Sequence, residues 1–161
     1  RLNCWFDVPS HKKTVAIWPK SGYSNNDPSI DKRSPNNQWW HGLYVDLISL
    51  GYKVAQLGFS DIITTVYPVL DLRHLSLWDS IVYSLGCDVC LGTDSGSSWI
   101  INSYGMRHIT LFTNYQNGHL ANETAYCPVN YLGNGIVLYG KGGINNITKD
   151  SVLMSIGLLN S

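Results

Sequence analysis

Short apolar runs of strand length alternate along this chain with longer segments whose apolar residues recur every three or four positions. The short runs occupy residues 14–18, 52–57, 68–72, 87–91, 107–112 and 136–139. Their length and composition are typical of buried strands. The run at 107–112 is apolar enough to indicate a central strand that is covered on both faces.

Three segments between these runs and one after the last run have the spacing of amphipathic helices. They are residues 39–50, 77–85, 97–104 and 148–159. Gly51, Gly86 and Gly105 follow the first three, and Ser76 precedes the second as an N-cap. Strands that alternate with helices at this spacing predict an α/β domain with a Rossmann-like, doubly wound, mostly parallel sheet of about six strands and helices on both faces.

The predicted sheet indicates where a ligand would bind. In doubly wound sheets, ligands lie beyond the carboxyl ends of the strands, so the loops after Trp18, Leu57, Leu72 and Leu91 should face one crevice. The first of these loops, residues 21–38, is long, polar and nearly free of apolar side chains. Loops of that length inside compact domains are often functional, so this one is a candidate binding element.

Length and charge narrow the possible classes of protein. At 161 residues the chain fits a single domain, 1–161. Its net charge of +0 gives no long-range attraction to nucleic acid, so we expect no nucleic-acid partner. No apolar run is long enough to span a membrane, and we expect a cytoplasmic protein, either free or peripheral to a membrane. The chain starts at Arg1, so we expect a piece of a longer protein with an upstream domain.

The four cysteines favour a structural role. Cys87 and Cys90 have C-x-x-C spacing, but a second pair of ligands at short spacing, which a zinc site needs, is absent. Both lie in a predicted buried region, where cysteine behaves as a small hydrophobic residue. They therefore indicate a reducing compartment only weakly.

A turn rich in glycine and hydroxyl groups joins the fourth predicted strand to the third predicted helix. It reads Asp94-Ser95-Gly96-Ser97-Ser98. The first N–H groups of a helix have no partners inside it, and the helix dipole places partial positive charge there, so a diphosphate could be held without a lysine. Asp94 would instead accept hydrogen bonds from amides or from sugar hydroxyls. Capping of the helix by Asp94 and Ser95 explains the same residues equally well.

Four stretches of the chain follow an ordered set of motifs. Residues 92–98 are similar to a G-x-D-[ST]-G-x-x-H signature. Residues 71–77 are similar to the strand and helix start that precede this signature, and residues 104–112 are similar to the a-x-G-x-P-x-x-x-L-F segment that follows it. Further upstream, residues 39–58 are similar to a helix that ends in G-[YF]-x-V. Together they resemble glycosyltransferase family nine, the heptosyltransferase-like enzymes of bacterial lipopolysaccharide assembly. The resemblance covers roughly residues 14–159 by pattern.

This resemblance implies a GT-B architecture, in which two Rossmann-like domains face each other and the carboxyl-terminal one holds the nucleotide sugar. The residues that match donor-binding positions of the family are Asp94, Ser95, Gly96, Ser97 and Ser98 in the turn, Lys20 and Ser21 after the first strand, His74 and Leu75 beside the base, and Ser60 and Asp61 near the ribose. Trp99 is a further candidate because of its place in the turn.

Three positions depart from the family pattern. Trp99 occupies the usual histidine position, Asn37 or Gln38 stands where a basic residue commonly precedes the tryptophan, and Ser60 replaces a glutamate that binds ribose. These differences favour a donor sugar other than heptose.

The predicted function is binding of a nucleotide-diphosphate sugar for transfer to the hydroxyl of a glycan or another acceptor. The reaction needs a base to deprotonate the acceptor, and the sequence offers no convincing candidate. By the resemblance, that base belongs to the upstream, amino-terminal domain, so this chain should turn over little. We expect no metal, since no carboxylate pair presents itself. A non-catalytic nucleotide- or sugar-binding module and a nucleotide-sugar epimerase remain alternatives.

Overall fold

A sheet of parallel strands forms the centre of the molecule. The computed structural model describes residues 13–20, 33–58, 68–113, 135–140 and 143–159. Within them the strands are β1 Thr14–Trp18, β2 Lys53–Gln56, β3 Val69–Asp71, β4 Val89–Thr93, β5 His108–Phe112 and β6 Gly135–Tyr139. Every neighbouring pair is parallel, and the order across the sheet is β3-β2-β1-β4-β5-β6.

Helices cover both faces of this sheet. They are α1 Asn37–Ser49, α2 Leu77–Leu85, α3 Gly96–Ser103 and α4 Lys149–Leu159, and a short 3-10 helix, Ile144–Asn146, precedes α4. Residues that alternate along β1 show the two layers. Val15 and Ile17 pack with α1 and α4, whereas Ala16 and Trp18 pack with α2 and α3. The predicted doubly wound α/β fold is confirmed.

Local chemistry explains where the helices begin. Asn36 caps α1, because its side-chain oxygen accepts the Trp39 N–H at 2.9 Å, so this helix starts two residues before the predicted position. Ser76 caps α2 through the Asp79 N–H at 3.1 Å, and α2 ends at the predicted Gly86. Both caps satisfy amides that have no partner inside their helix.

The fourth strand lies two residues later than the sequence indicated. The Cys87 N–H closes a turn on the Ser84 carbonyl at 3.1 Å, and the Asp88 carboxylate accepts the Thr14 N–H at 2.6 Å, so neither residue belongs to the strand. The strand therefore continues to Thr93. Helix α3 starts at Gly96, one residue earlier than predicted, which leaves a connection of two residues.

The strand order creates a switch point between β1 and β4. These neighbours end together, since Trp18 is paired with Gly92. After β1 the chain passes to α1 on one face, and after β4 it passes to α3 on the other. Connections that diverge in this way open a crevice beyond the carboxyl ends of the strands.

Candidate functional site

The amino end of α3 opens onto this switch point. Ser95 is its N-cap, with extended backbone at φ −155° and ψ 164°, and its side chain makes no capping hydrogen bond. The first helical bond runs from the Trp99 N–H to the Ser95 carbonyl at 3.2 Å. Within the described part of the chain, no hydrogen bond engages the N–H groups of Gly96, Ser97 or Ser98. Side-chain capping, the alternative interpretation of this turn, is therefore not what the geometry shows.

The serine hydroxyls of the turn bond to one another and to the strand. The Ser95 and Ser97 hydroxyls lie 2.8 Å apart, and the buried Ser98 hydroxyl donates to the Thr93 carbonyl at 2.7 Å. A Cβ on Gly92 would lie 3.0 Å from the Ser98 Oγ, so this glycine lets α3 sit close to the end of β4. These contacts leave the free amides beside hydroxyls that are already oriented.

Asp94 is half-buried at the carboxyl end of β4. Burial raises the pKa of its carboxyl group, whereas a side-chain hydrogen bond from Trp99 and the charge of Arg33 lower it. Trp99 and Arg33 are thus the side chains whose proximity acts on this carboxylate.

Arg33 is a site residue that sequence reasoning missed. It lies before α1, close enough for its charge to act on Asp94, and its buried Nε has no hydrogen-bond partner in the described part of the chain. The fully buried Thr93 Oγ1 likewise has no partner there. Buried polar atoms without partners are rare and commonly mark a place for a ligand or water. The available signal was that Lys32 and Arg33 are the basic residues of the polar segment 21–38.

The other predicted site residues follow the ends of different strands. Lys20 is half-buried just after β1, while exposed His74 and half-buried Leu75 lie between β3 and α2. The strands are parallel, so these positions share the edge of the sheet with the α3 turn. The predicted positions Ser21, Ser60 and Asp61 lie outside the described residues.

An ion pair stands at the end of β3, on the same edge. Arg73 donates from Nε and Nη2 to the two carboxylate oxygens of Asp71, at 2.8 and 2.6 Å. The hydrogen bond from Arg73 is the main reason that the pKa of Asp71 is lowered. Both side chains are partly exposed, so this pair adds little to stability.

Both thiols of the C-x-x-C pair are buried and free. Burial raises the pKa of Cys87 to about 12 and raises that of Cys90 well above its usual range. Among the described residues, no group of three histidine, cysteine, aspartate or glutamate side chains is placed to hold a metal ion. The described helices include none that is long and apolar enough to cross a membrane.

The strand order defines a Rossmann-like domain, and the amino end of α3 lies at its switch point, where such domains bind ligands.

No protein family and no curated protein matches the sequence. Three solved glycosyltransferase structures share its fold. ADP-heptose LPS heptosyltransferase II of E. coli is 15% identical, with a TM-score of 0.73 over 93% of this chain and 47% of its own.

The other two are equally distant in sequence. A glycosyl transferase family 9 protein of Veillonella parvula DSM 2008 is 14% identical, with a TM-score of 0.69 over 92% of this chain and 46% of its own. The E. coli heptosyltransferase WaaC, solved with ADP, is also 14% identical, with a TM-score of 0.69 over 92% of this chain and 44% of its own. The chain thus spans a little under half the length of these structures. The Rossmann-like fold that the family-nine resemblance implies for this chain is confirmed.

Proposed function

We propose that this chain is the donor-binding domain of a glycosyltransferase and holds a nucleotide-diphosphate sugar at the amino end of α3. The observation that carries the proposal is a set of three N–H groups at the switch point of the sheet, those of Gly96, Ser97 and Ser98, which have no hydrogen-bond partner among the described residues. Such a helix end attracts anions through its free donors and its dipole.

Two charged residues have different roles at this site. The guanidinium of Arg33 adds a full positive charge to the partial charge of the helix end, and it replaces the basic residue that the family has where this chain has Asn37 or Gln38. The carboxylate of Asp94 would repel phosphate but accepts hydroxyl groups of a sugar. One end of the site therefore suits a diphosphate and the other a carbohydrate. The E. coli WaaC structures solved with ADP and with ADP-2-deoxy-2-fluoro heptose support this assignment by their common fold.

The rest of the reaction requires more than this chain. We propose that a second, amino-terminal domain supplies the base that deprotonates the hydroxyl of a glycan or another acceptor, and that the protein acts in the cytoplasm. The amides and Arg33 stabilise the departing diphosphate, and the proposal includes no metal ion. We expect the chain by itself to bind donor with little turnover.

A single amide can be removed to test the site. Gly96 is the first residue of α3, where proline is tolerated, and the extended backbone of Ser95 is the conformation that precedes proline. A Cβ at Gly96 would meet nothing within 4 Å. Gly96→Pro therefore removes one N–H group from the site. Gly96→Ala is the control, because it adds a side-chain carbon and keeps that N–H group.

Calorimetric titration with ADP, GDP and UDP measures the effect. For whichever nucleotide binds, we expect the proline variant to bind about tenfold or more weakly than the alanine variant, since hydrogen bonds to charged groups contribute about 1.5–3 kcal/mol. Arg33→Ala should also weaken binding, whereas Arg107→Ala, at the opposite edge of the sheet, should not. The proposal is wrong if no nucleotide binds, or if the proline and alanine variants bind equally.

A further inference from the structure

The inner face of α3 places a polar side chain against the sheet. Asn102 is fully buried, and neither its Nδ2 nor its Oδ1 has a hydrogen-bond partner among the described residues. The end of the helix offers Oδ1 no donor, because the Tyr104 and Gly105 N–H groups bond to the carbonyls of Ile101 and Asn102. A buried amide that stays unpaired is costly, so this side chain requires a partner.

A histidine at the start of β5 has the same requirement. His108 is fully buried, and its Nδ1 lies 3.0 Å from the Thr110 Oγ1. Its Nε2 has no partner in the described part of the chain. Burial lowers the pKa of His108 to about 4, so the ring is neutral at pH 7, with one nitrogen as donor and the other as acceptor. Nε2 therefore has one hydrogen bond still to make.

The topology places these two side chains on facing surfaces. Ile109 and Leu111 pack with α1 and α4, so His108 and Thr110, which alternate with them along β5, face the layer of α3. Helix α3 packs on β5 and returns the chain from the carboxyl end of β4 to the amino end of β5. Its last turn, with Asn102, thus lies over the end of β5 where His108 stands.

A water molecule is the ligand that matches this pair. The Asn102 amide and the His108 Nε2 are not hydrogen-bonded to each other, so a small group that donates and accepts is needed to join them. Water does both, and it is small enough for a site enclosed by fully buried residues. A charged ligand would meet only neutral side chains in this pair, and burying it there would be costly.

We propose that Asn102 and His108 form an internal water site beneath α3, in which a water molecule bridges the Asn102 side-chain amide and Nε2 of His108. The site lies at the opposite edge of the sheet from the amino end of α3, so the inference does not depend on the proposed function. Bound water is then one of the contacts that hold this helix on the sheet.

Two measurements on the unaltered chain test the site. A crystal structure should show an ordered water within about 3.2 Å of both the Asn102 side-chain amide and the His108 Nε2. In solution, nuclear Overhauser and rotating-frame cross-peaks between water and the Asn102 side-chain amide should have opposite signs, the pattern of a long-lived bound water. Direct contact between the amide and the imidazole with no water between them, or cross-peaks of equal sign, would overturn the proposal.

A double-mutant cycle tests whether one water serves both residues. Asn102→Leu and His108→Leu should each raise the unfolding equilibrium constant about fivefold or more, because each leaves the other residue without its bridge. The double variant should raise it by clearly less than the product of the two.

Thr93→Val provides the matched control. The Thr93 Oγ1 is also buried without a partner among the described residues, but Thr93 alternates with Gly92 and Cys90 and faces the layer of α1 and α4. Its effect should multiply with that of Asn102→Leu. If the effects of Asn102→Leu and His108→Leu multiply in the same way, the shared water is wrong. Where a leucine variant does not fold, the two measurements on the unaltered chain decide.

Discussion

A glycine beside the site should tolerate alanine much less than a glycine of the same backbone conformation elsewhere. Gly58 follows β2 at φ +76°, and a Cβ added there would lie 2.8 Å from Cε3 and 3.2 Å from Cζ3 of Trp18. The Trp18 ring is buried, and its Nε1 donates to the Ser84 hydroxyl at 3.0 Å. The ring therefore cannot turn aside without losing that hydrogen bond.

Gly51 provides the comparison. It follows α1 at φ +82°, and a Cβ there would meet nothing within 4 Å. Gly51→Ala should lower the free energy of unfolding by about 1–2 kcal/mol, the cost of a left-handed backbone for a residue with a side chain. Gly58→Ala carries the same backbone cost and adds about 1–3 kcal/mol for the displaced indole ring.

Urea unfolding followed by circular dichroism measures both variants. The midpoints should fall in the order unaltered chain, Gly51→Ala, Gly58→Ala, with the same slope m, since both substitutions act on the folded state. Equal midpoints for the two variants would refute the packing argument, because the backbone term is common to both.

Two further predictions concern buried groups that ionise. Burial lowers the pKa of His108 from its usual 6.5 to about 4, so the folded state excludes a proton that the unfolded chain binds. The free energy of unfolding should fall by up to about 3 kcal/mol as pH drops from about 6.5 to 4, and a steep slope that persists in His108→Gln would contradict this. Because burial raises the pKa of Cys87 and Cys90, iodoacetamide at pH 8 should label neither until urea is added; peptide mass spectrometry that finds both labelled in the folded chain would rule this out.

The sequence predicted the bounds of an element correctly where capping residues mark its two ends. The bounds of α2 match the structure because Ser76 and Gly86 are local signals that tertiary contacts do not override. The bounds of β4 do not match, because Asp88 bonds to Thr14 across the sheet, and such a contact has no counterpart in the local pattern. A run of apolar residues indicates which residues are buried, and buried residues can lie outside the hydrogen-bonded strand, as Cys87 does before β4.

The candidate site was predictable in part for the same reason. The turn from Asp94 to Ser98 lies within a few residues, and its chemistry can be inferred from spacing. The approach of Arg33 to Asp94 depends on β1 lying beside β4, which is a property of strand order. Trp99 was recognised as a candidate from its place in the turn, but its exposure on α3 required the three-dimensional structure.

The position of β1 in the middle of the sheet has a consequence for folding during synthesis. On one side, its partner β2 and the next strand, β3, follow soon after it, whereas the contact between Thr14 and Asp88 on the other side spans 74 positions. During synthesis, a three-stranded precursor would therefore present one unpaired border of β1 until β4 emerges from the ribosome. Unpaired strand borders recruit other chains, so slowing translation between these strands should lower the yield of native protein through aggregation.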